Sequence, residues 1–306
     1  MHRTRLLLLA AALVLTAGTA SCSKDATQAD TTSGRRPAAT ETSAPARPTD
    51  PTDRLVAVGD SGARMHLSCS GSGARTVVIL PGFGDDGETW GAVTPVVSEA
   101  ARVCTYARFG LGTSDAPPAT QTFATEADDL HDLLQAAGEP GPYVVVGHSF
   151  GGAEAVSFAH RFASEVTGLL LVDASPADWP TALCSVPDDG SAAAASWRDT
   201  CTSVTHADQN PERLDGRKAF AEVAAVRSLG DLPVTVMTRA EVVYPDLPDG
   251  TEEELAAAWQ RGQQHWASLS SSGRVVPVAD TGHVIQVEQP GAVIENIEAL
   301  VQAGVR

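Results

Sequence analysis

The sequence predicts an α/β protein with a mostly parallel central sheet, helices on both faces and a small inserted lid. Three observations carry this. Short apolar runs alternate with segments of helical periodicity from residue 76 onward. Several runs, such as Thr-Val-Val-Ile-Leu at 76–80, are continuously apolar, as strands buried on both faces require. One long polar stretch, residues 176–229, interrupts the alternation and is too long for a simple connection.

In chain order, residues 54–58 and 64–70 read as strands joined by Gly59-Asp60-Ser61-Gly62, a hairpin signal. Strands follow at 76–80 and 103–106. Residues 125–137 carry Ala127, Leu130, Leu133, Leu134 and Ala137 at helical spacing, and Gly138 stops them. A strand is predicted at 143–146, a helix at 149–162 and a strand at 168–172. Strands at 232–238 and 274–278 enclose a helix starting at Thr251, where Thr251 and Glu254 have capping-box spacing. A last helix covers about 292–302.

The chain has 306 residues, 43% of them hydrophobic and 19% charged, an ordinary globular composition. Its net charge of −17 makes nucleic acid and anionic lipid headgroups poor partners. Residues 1–22 read as an export signal: His2, Arg3 and Arg5 precede an apolar run at 6–17 that is too short to span a bilayer. Small residues then lead to Cys22, like a bacterial lipobox, although Thr19 stands where leucine is usual. The expectation is lipidation at Cys22, holding the protein on the outer face of the cytoplasmic membrane, with plain secretion as the alternative. Residues 23–53, rich in Thr, Ala, Pro and Asp, cannot bury enough surface to fold and read as a tether. The folded domain is then 54–306, with 176–229 as its lid. Cys69, Cys104, Cys184 and Cys201 remain after export, an even number that suggests two disulfides in one of three pairings. No metal-binding spacing is present.

Gly147-His148-Ser149-Phe150-Gly151 lies between a predicted strand and a predicted helix. Glycines at both flanks permit a turn sharp enough to expose the Ser149 hydroxyl at the C-terminal sheet edge, where α/β proteins place ligands. A serine nucleophile needs a base. Of eight histidines, His283 alone sits in a loop after the last strand that returns to this edge. His148 adjoins Ser149, but its side chain is expected to leave the turn in another direction and to be structural. The acid that orients His283 is Asp173 or Glu241. Asp173 ends a strand beside the serine and is favoured; Glu241 would need its loop to fold back. The Phe150 N–H is one candidate oxyanion donor, and the Phe83 N–H, in the Gly-rich loop after 76–80, is the other.

Five segments, PGFGDDGETW, YARFGLGTSD, GPYVVVGHSFGG, GLLLVDASP and GHVIQVEQP, resemble the α/β-hydrolase superfamily in that family's order, over roughly residue 54 to the C-terminus. Pro81 stands where the family usually has His, and the usual acid after the penultimate strand has no clear counterpart, which strengthens Asp173. The family's strand order implies Cys69–Cys104 pairing and leaves Cys184–Cys201 to staple the lid. Arg108 is implied to be an ion-pair or loop anchor. The resemblance implies a monomeric serine hydrolase of small carboxylic esters or thioesters that needs no cofactor. Amide or peptide cleavage, other chemistry of the superfamily, and a non-catalytic surface binding protein are the alternatives. Epoxide opening is disfavoured, because it uses a carboxylate where this chain has Ser149.

Overall fold

Eight strands form one sheet in the order β1-β2-β4-β3-β5-β6-β7-β8. The computed structural model describes residues 49–244, 247 and 250–303. The strands are β1 (Thr52–Ala57), β2 (Arg64–Ser70), β3 (Thr76–Leu80), β4 (Arg102–Ala107), β5 (Tyr143–His148), β6 (Val166–Val172), β7 (Val234–Arg239) and β8 (Gly273–Val278). The helices are α1 (Thr94–Val97), α2 (Phe123–Ala137), α3 (Phe150–Arg161), α4 (Trp179–Leu183), α5 (Ala192–Thr205), α6 (Gly216–Ala224), α7 (Thr251–Ser268), α8 (Ile285–Glu288) and α9 (Pro290–Ala303). The export signal, the lipidation of Cys22 and nearly all of the tether fall outside the described residues. β1 already begins at Thr52, inside the end of the expected tether.

β2 runs antiparallel to β1 and β4, and all other neighbours pair in parallel. The continuous apolar runs explain the layering. In β3, Val78 and Leu80 face one core while Val77 and Ile79 face the other, and in β6 Leu169 and Leu171 oppose Leu170 and Val172. One core takes side chains from α2, α3 and the inserted segment; the other takes Val293, Ile297 and Leu300 of α9. Truncating a fully buried leucine such as Leu80 to alanine would cost about 2–5 kcal/mol. The chain passes from β3 to β4 on one side, then returns to place β5 on β3's other side. Loops leaving β3 and β5 therefore diverge at a switch point, where a crevice opens.

Helix starts depart from expectation for local reasons. α2 begins at Phe123 because Thr122 caps it, bonding reciprocally with Thr125; Gly138 ends it in the left-handed region. The capping box expected at Thr251 does not form. Gly250, at φ 83°, is the N-cap, so Thr251 is already inside the first turn. The inserted segment holds α4, α5 and α6, with a Cys184–Cys201 disulfide between α4 and α5. The second disulfide, Cys69–Cys104, joins directly opposed residues of β2 and β4. Both pairings are those implied by the sequence resemblance.

Candidate active site

Ser149 sits between β5 and α3 at φ 53° and ψ −120°, a conformation a side-chain-bearing residue rarely adopts. Its backbone is pinned on both sides: its N–H donates to Val172 O, and its carbonyl accepts from Gly152 and Ser175 N–H. Such over-determination is what lets a strained residue persist. The flanking glycines are sterically required. A Cβ at Gly147 would lie 2.2 Å from Gly151 O, and one at Gly151 would lie 2.2 Å from Leu80 O.

His283, in the loop after β8, reaches this turn. Its Nε2 is 3.0 Å from Ser149 Oγ and its Nδ1 is 2.7 Å from Asp173 Oδ2. Asp173, at the end of β6, is fully buried. Its Oδ1 accepts from Trp259 Nε1 (2.9 Å) and Thr238 Oγ1 (3.1 Å). Burial pushes the Asp173 carboxyl up. The His283 hydrogen bond and charge, the Arg239 guanidinium and the Trp259 N–H outweigh burial, so the carboxyl lies below its ordinary range. Glu241 is exposed in the loop after β7, and it is Asp173 that holds His283. The two-way choice left open by the sequence is thereby closed as far as contact goes.

His148 departs from expectation in its direction, while its role is structural as expected. Its side chain does not leave the site: the ring packs 4.7 Å from that of His283, and Nε2 donates to the His283 carbonyl at 2.9 Å. Burial, then the nearby His283 charge, lowers its pKa to about 4, so it is a neutral prop for the His283 loop. Its Nδ1 is buried without a partner, against Gly82. The position next to Ser149 was visible in the sequence; the side-chain direction was not.

Phe83 and Phe150 both line the cavity, with ring centroids 5.1 Å apart. Among the described residues, neither backbone N–H has an acceptor, while the Gly84 N–H next along donates to Glu212 Oε1 at 2.8 Å. Arg108 is a loop anchor, donating to the Pro81 and Gly82 carbonyls. Pro81 supplies no side-chain donor. Sequence reasoning missed Ser175, whose Oγ is 3.3 Å from Ser149 Oγ, and it missed Arg239 and Glu212.

The cavity over Ser149 measures about 510 Å³. Its walls include Trp179 and Trp197 from the inserted segment, packed against Tyr244 and Trp259 in one aromatic cluster. Nothing in the polar composition of 176–229 pointed to these walls except its two tryptophans. A cavity of about 610 Å³ between β7, β8 and α7 shares Arg239 with the first but is lined by no serine, cysteine or histidine. Among the described residues, one cluster has metal-ligand spacing: Cys69, Cys104 and Glu139. Its sulfurs form a disulfide and Glu139 pairs with Arg102, so it offers no free donor set.

The arrangement provides a hydroxyl lining the cavity, a base in contact with it, a buried acid behind the base and two unpaired N–H groups nearby. The model of the alpha/beta hydrolase family matches residues 77–296. YqjL of Bacillus subtilis is 25% identical over 222 residues, 72% of this chain and 81% of that protein. Epoxide hydrolase 3 of Xenopus tropicalis is 32% identical over a shorter stretch of 122 residues, 39% of this chain and 33% of that protein. Among solved structures, a thermophilic esterase from Thermogutta terrifontis superposes with a TM-score of 0.60 at 21% identity, covering 82% of this chain and 98% of its own.

Proposed function

From the premise that this chain belongs to the alpha/beta hydrolase family, we propose that it is a serine hydrolase cleaving a carboxylic ester or thioester. The observation that carries this reading is the unbroken contact from Ser149 Oγ through His283 to fully buried Asp173. In the first step Ser149 Oγ adds to the substrate carbonyl as His283 Nε2 takes its proton. Asp173 holds the imidazole in the tautomer with a proton on Nδ1 and stabilises the cation that forms. The Phe83 and Phe150 N–H groups receive the oxyanion. His283 then protonates the departing alcohol or thiol. A water molecule, deprotonated by His283, releases the acid and restores Ser149.

A serine at the turn separates this reading from epoxide opening, which needs a carboxylate nucleophile whose alkyl ester intermediate water then hydrolyses. The mostly apolar surface of the cavity, with Phe83, Phe150, Trp179, Trp197, Tyr244 and Trp259 in its lining, supports a mostly apolar substrate. The net charge of −17 disfavours strongly anionic ones. Export and a lipid anchor at Cys22, or secretion, belong to the same proposal; the two disulfides support an oxidising compartment.

The test is labelling of the purified protein by a fluorophosphonate probe, with hydrolysis of p-nitrophenyl esters of graded acyl length. Wild type is expected to label and turn over, and Ser149→Ala to do neither. A folded wild-type protein that resists the probe and leaves all the esters intact would overturn the reading.

A further inference from the structure

We propose that Glu212, carried by the inserted segment between α5 and α6, is a positioning residue that aims the Phe83 N–H at the oxyanion. The inference rests on the serine-hydrolase reading and adds to it a dependence of catalysis on the lid.

The loop leaving β3 has three successive backbone groups tied down. The Pro81 and Gly82 carbonyls accept from the two terminal nitrogens of Arg108. The Gly84 N–H donates to Glu212 Oε1 at 2.8 Å, and Glu212 Oε2 accepts from Arg108 Nε. In a trans peptide the C=O and N–H point in opposite directions. The Gly82 carbonyl is held by Arg108 and also by the Asp85 N–H, which donates to it at 3.2 Å, and this turns the Phe83 N–H of that same peptide to the other side. The next peptide is fixed at its own N–H, that of Gly84, by Glu212. Phe83 thus lies between two peptides whose planes are both set from below, and its unpaired N–H faces away from the clamp. Gly82 lies directly against the nucleophile: a Cβ there would be 3.5 Å from Ser149 Cβ.

Glu212 is only 1% exposed, and burying a carboxylate is expensive without compensating bonds. The chain around it is built to deliver it. Asn210 staples the turn, its Oδ1 accepting from Leu214 N–H and its Nδ2 donating to the Ser203, His206 and Leu214 carbonyls. Arg213 takes φ 50°, and Gln121 brackets the far side through Arg213 O and Asp215 N–H. Gly110 makes room from below, since a Cβ there would sit 2.1 Å from Pro211 O.

Two other carboxylates crowd Arg108. Glu154 Oε2 is 3.4 Å from its Nη1 while Glu154 Oε1 takes the Tyr106 hydroxyl; Glu126 Oε1 is 3.9 Å from Nε. Burial drives Glu154 up to about 7 and Glu126 well above its usual range. Neither bonds the loop, so neither substitutes for Glu212.

The experiment compares Glu212→Ala and Glu212→Gln with wild type in the full chain, by steady-state hydrolysis of p-nitrophenyl acetate, thermal melting and phenylboronic acid inhibition. Boronate adds to Ser149 and sets a tetrahedral oxygen where the oxyanion would lie. For Glu212→Ala, kcat is expected to fall about 10- to 100-fold with KM within about twofold, the pattern of an interaction made in the transition state. Boronate affinity should fall with kcat. Glu212→Gln keeps an acceptor for the Gly84 N–H but turns its amide NH2 onto Arg108 Nε, so it should recover part of the lost kcat and stay above Glu212→Ala. If Glu212→Ala does not fold, Glu212→Asp serves instead: it keeps a charge for Arg108 but is one methylene too short for Gly84, so kcat and boronate affinity should drop while melting changes little. A folded variant with wild-type kcat, or a kcat loss without loss of boronate affinity, would overturn the proposal. Failure of wild type to turn over or to bind boronate would instead strike the serine-hydrolase reading itself.

Discussion

Two buried arginines stand beside two buried carboxylates on opposite flanks of Ser149, and they are used differently. Arg108 bonds Glu212 directly and spreads its remaining donors over the Pro81 and Gly82 carbonyls, so the pair acts on backbone geometry. Arg239 lies 3.4 Å from Asp173 Oδ2 without a hydrogen bond from its buried Nε. Its Nη2 goes to the Tyr244 hydroxyl, and its face covers the Tyr244 and Trp259 rings at 5.3 and 5.1 Å. The oriented side-chain bonds to Asp173 come instead from His283, Trp259 and Thr238, and Arg239 itself adds only its backbone N–H, at 3.4 Å. The lesson is that a guanidinium fork fixes geometry only where its donors have acceptors in line; elsewhere it acts as a nearby charge.

The contrast breaks first at the acid. Asp173→Asn should lower kcat by about 10³- to 10⁴-fold, because the amide presents the wrong tautomer to His283. Glu241→Gln should leave kcat within about twofold. Steady-state ester hydrolysis on both variants checks this, and equal turnover would end the assignment of Asp173. Next comes the fork. Arg108→Lys keeps the charge and loses the planar donors, so kcat should fall about 10-fold or more. Arg239→Lys, where the charge rather than the fork matters, should lose no more than about threefold in the same assay.

Two pH experiments sharpen the distinction. His148 has a folded pKa near 4 against an ordinary 6.5, so the unfolded chain binds more protons between these values. Stability is therefore lost as pH falls from 6.5 to about 4, by about 3 kcal/mol in all. Denaturant melts of His148→Gln should show a flatter stability profile across that window. Asp173 has the opposite character, a carboxyl depressed in the fold. Its contribution is present above the ordinary 3.8 and is lost as pH falls through the lower folded value. Removing the neighbouring cation in Arg239→Met should move the acid-unfolding midpoint up by about a few tenths of a pH unit. An unchanged midpoint would mean that Arg239 contributes no field at Asp173.

Much of this was legible in the residues because it is local. The apolar run of β3 matches its expected bounds, and Gly138 ends α2 where a left-handed residue was needed. The glycines around Ser149 forecast a turn whose neighbours indeed leave no room for a Cβ. Errors arose where two local rules competed. Thr251 had the residue pattern of a cap, but Gly250 could take the left-handed conformation and claimed the position. The direction of His148 and the tasks of Trp179, Trp197 and Glu212 had no local signature.

What the sequence determined by itself is the layered sheet, the strained serine between β5 and α3, and the chain order of serine, acid and histidine. Side-chain alternation and glycine sterics act over a few residues, so they can be read without a fold. Tertiary structure alone decided that Asp173 rather than Glu241 meets His283, across 110 positions, and that Glu212 meets Gly84, across 128. Hydrogen bonds of such span form only after the sheet has brought distant loops to one edge, and no short-range preference of the residues involved announces them.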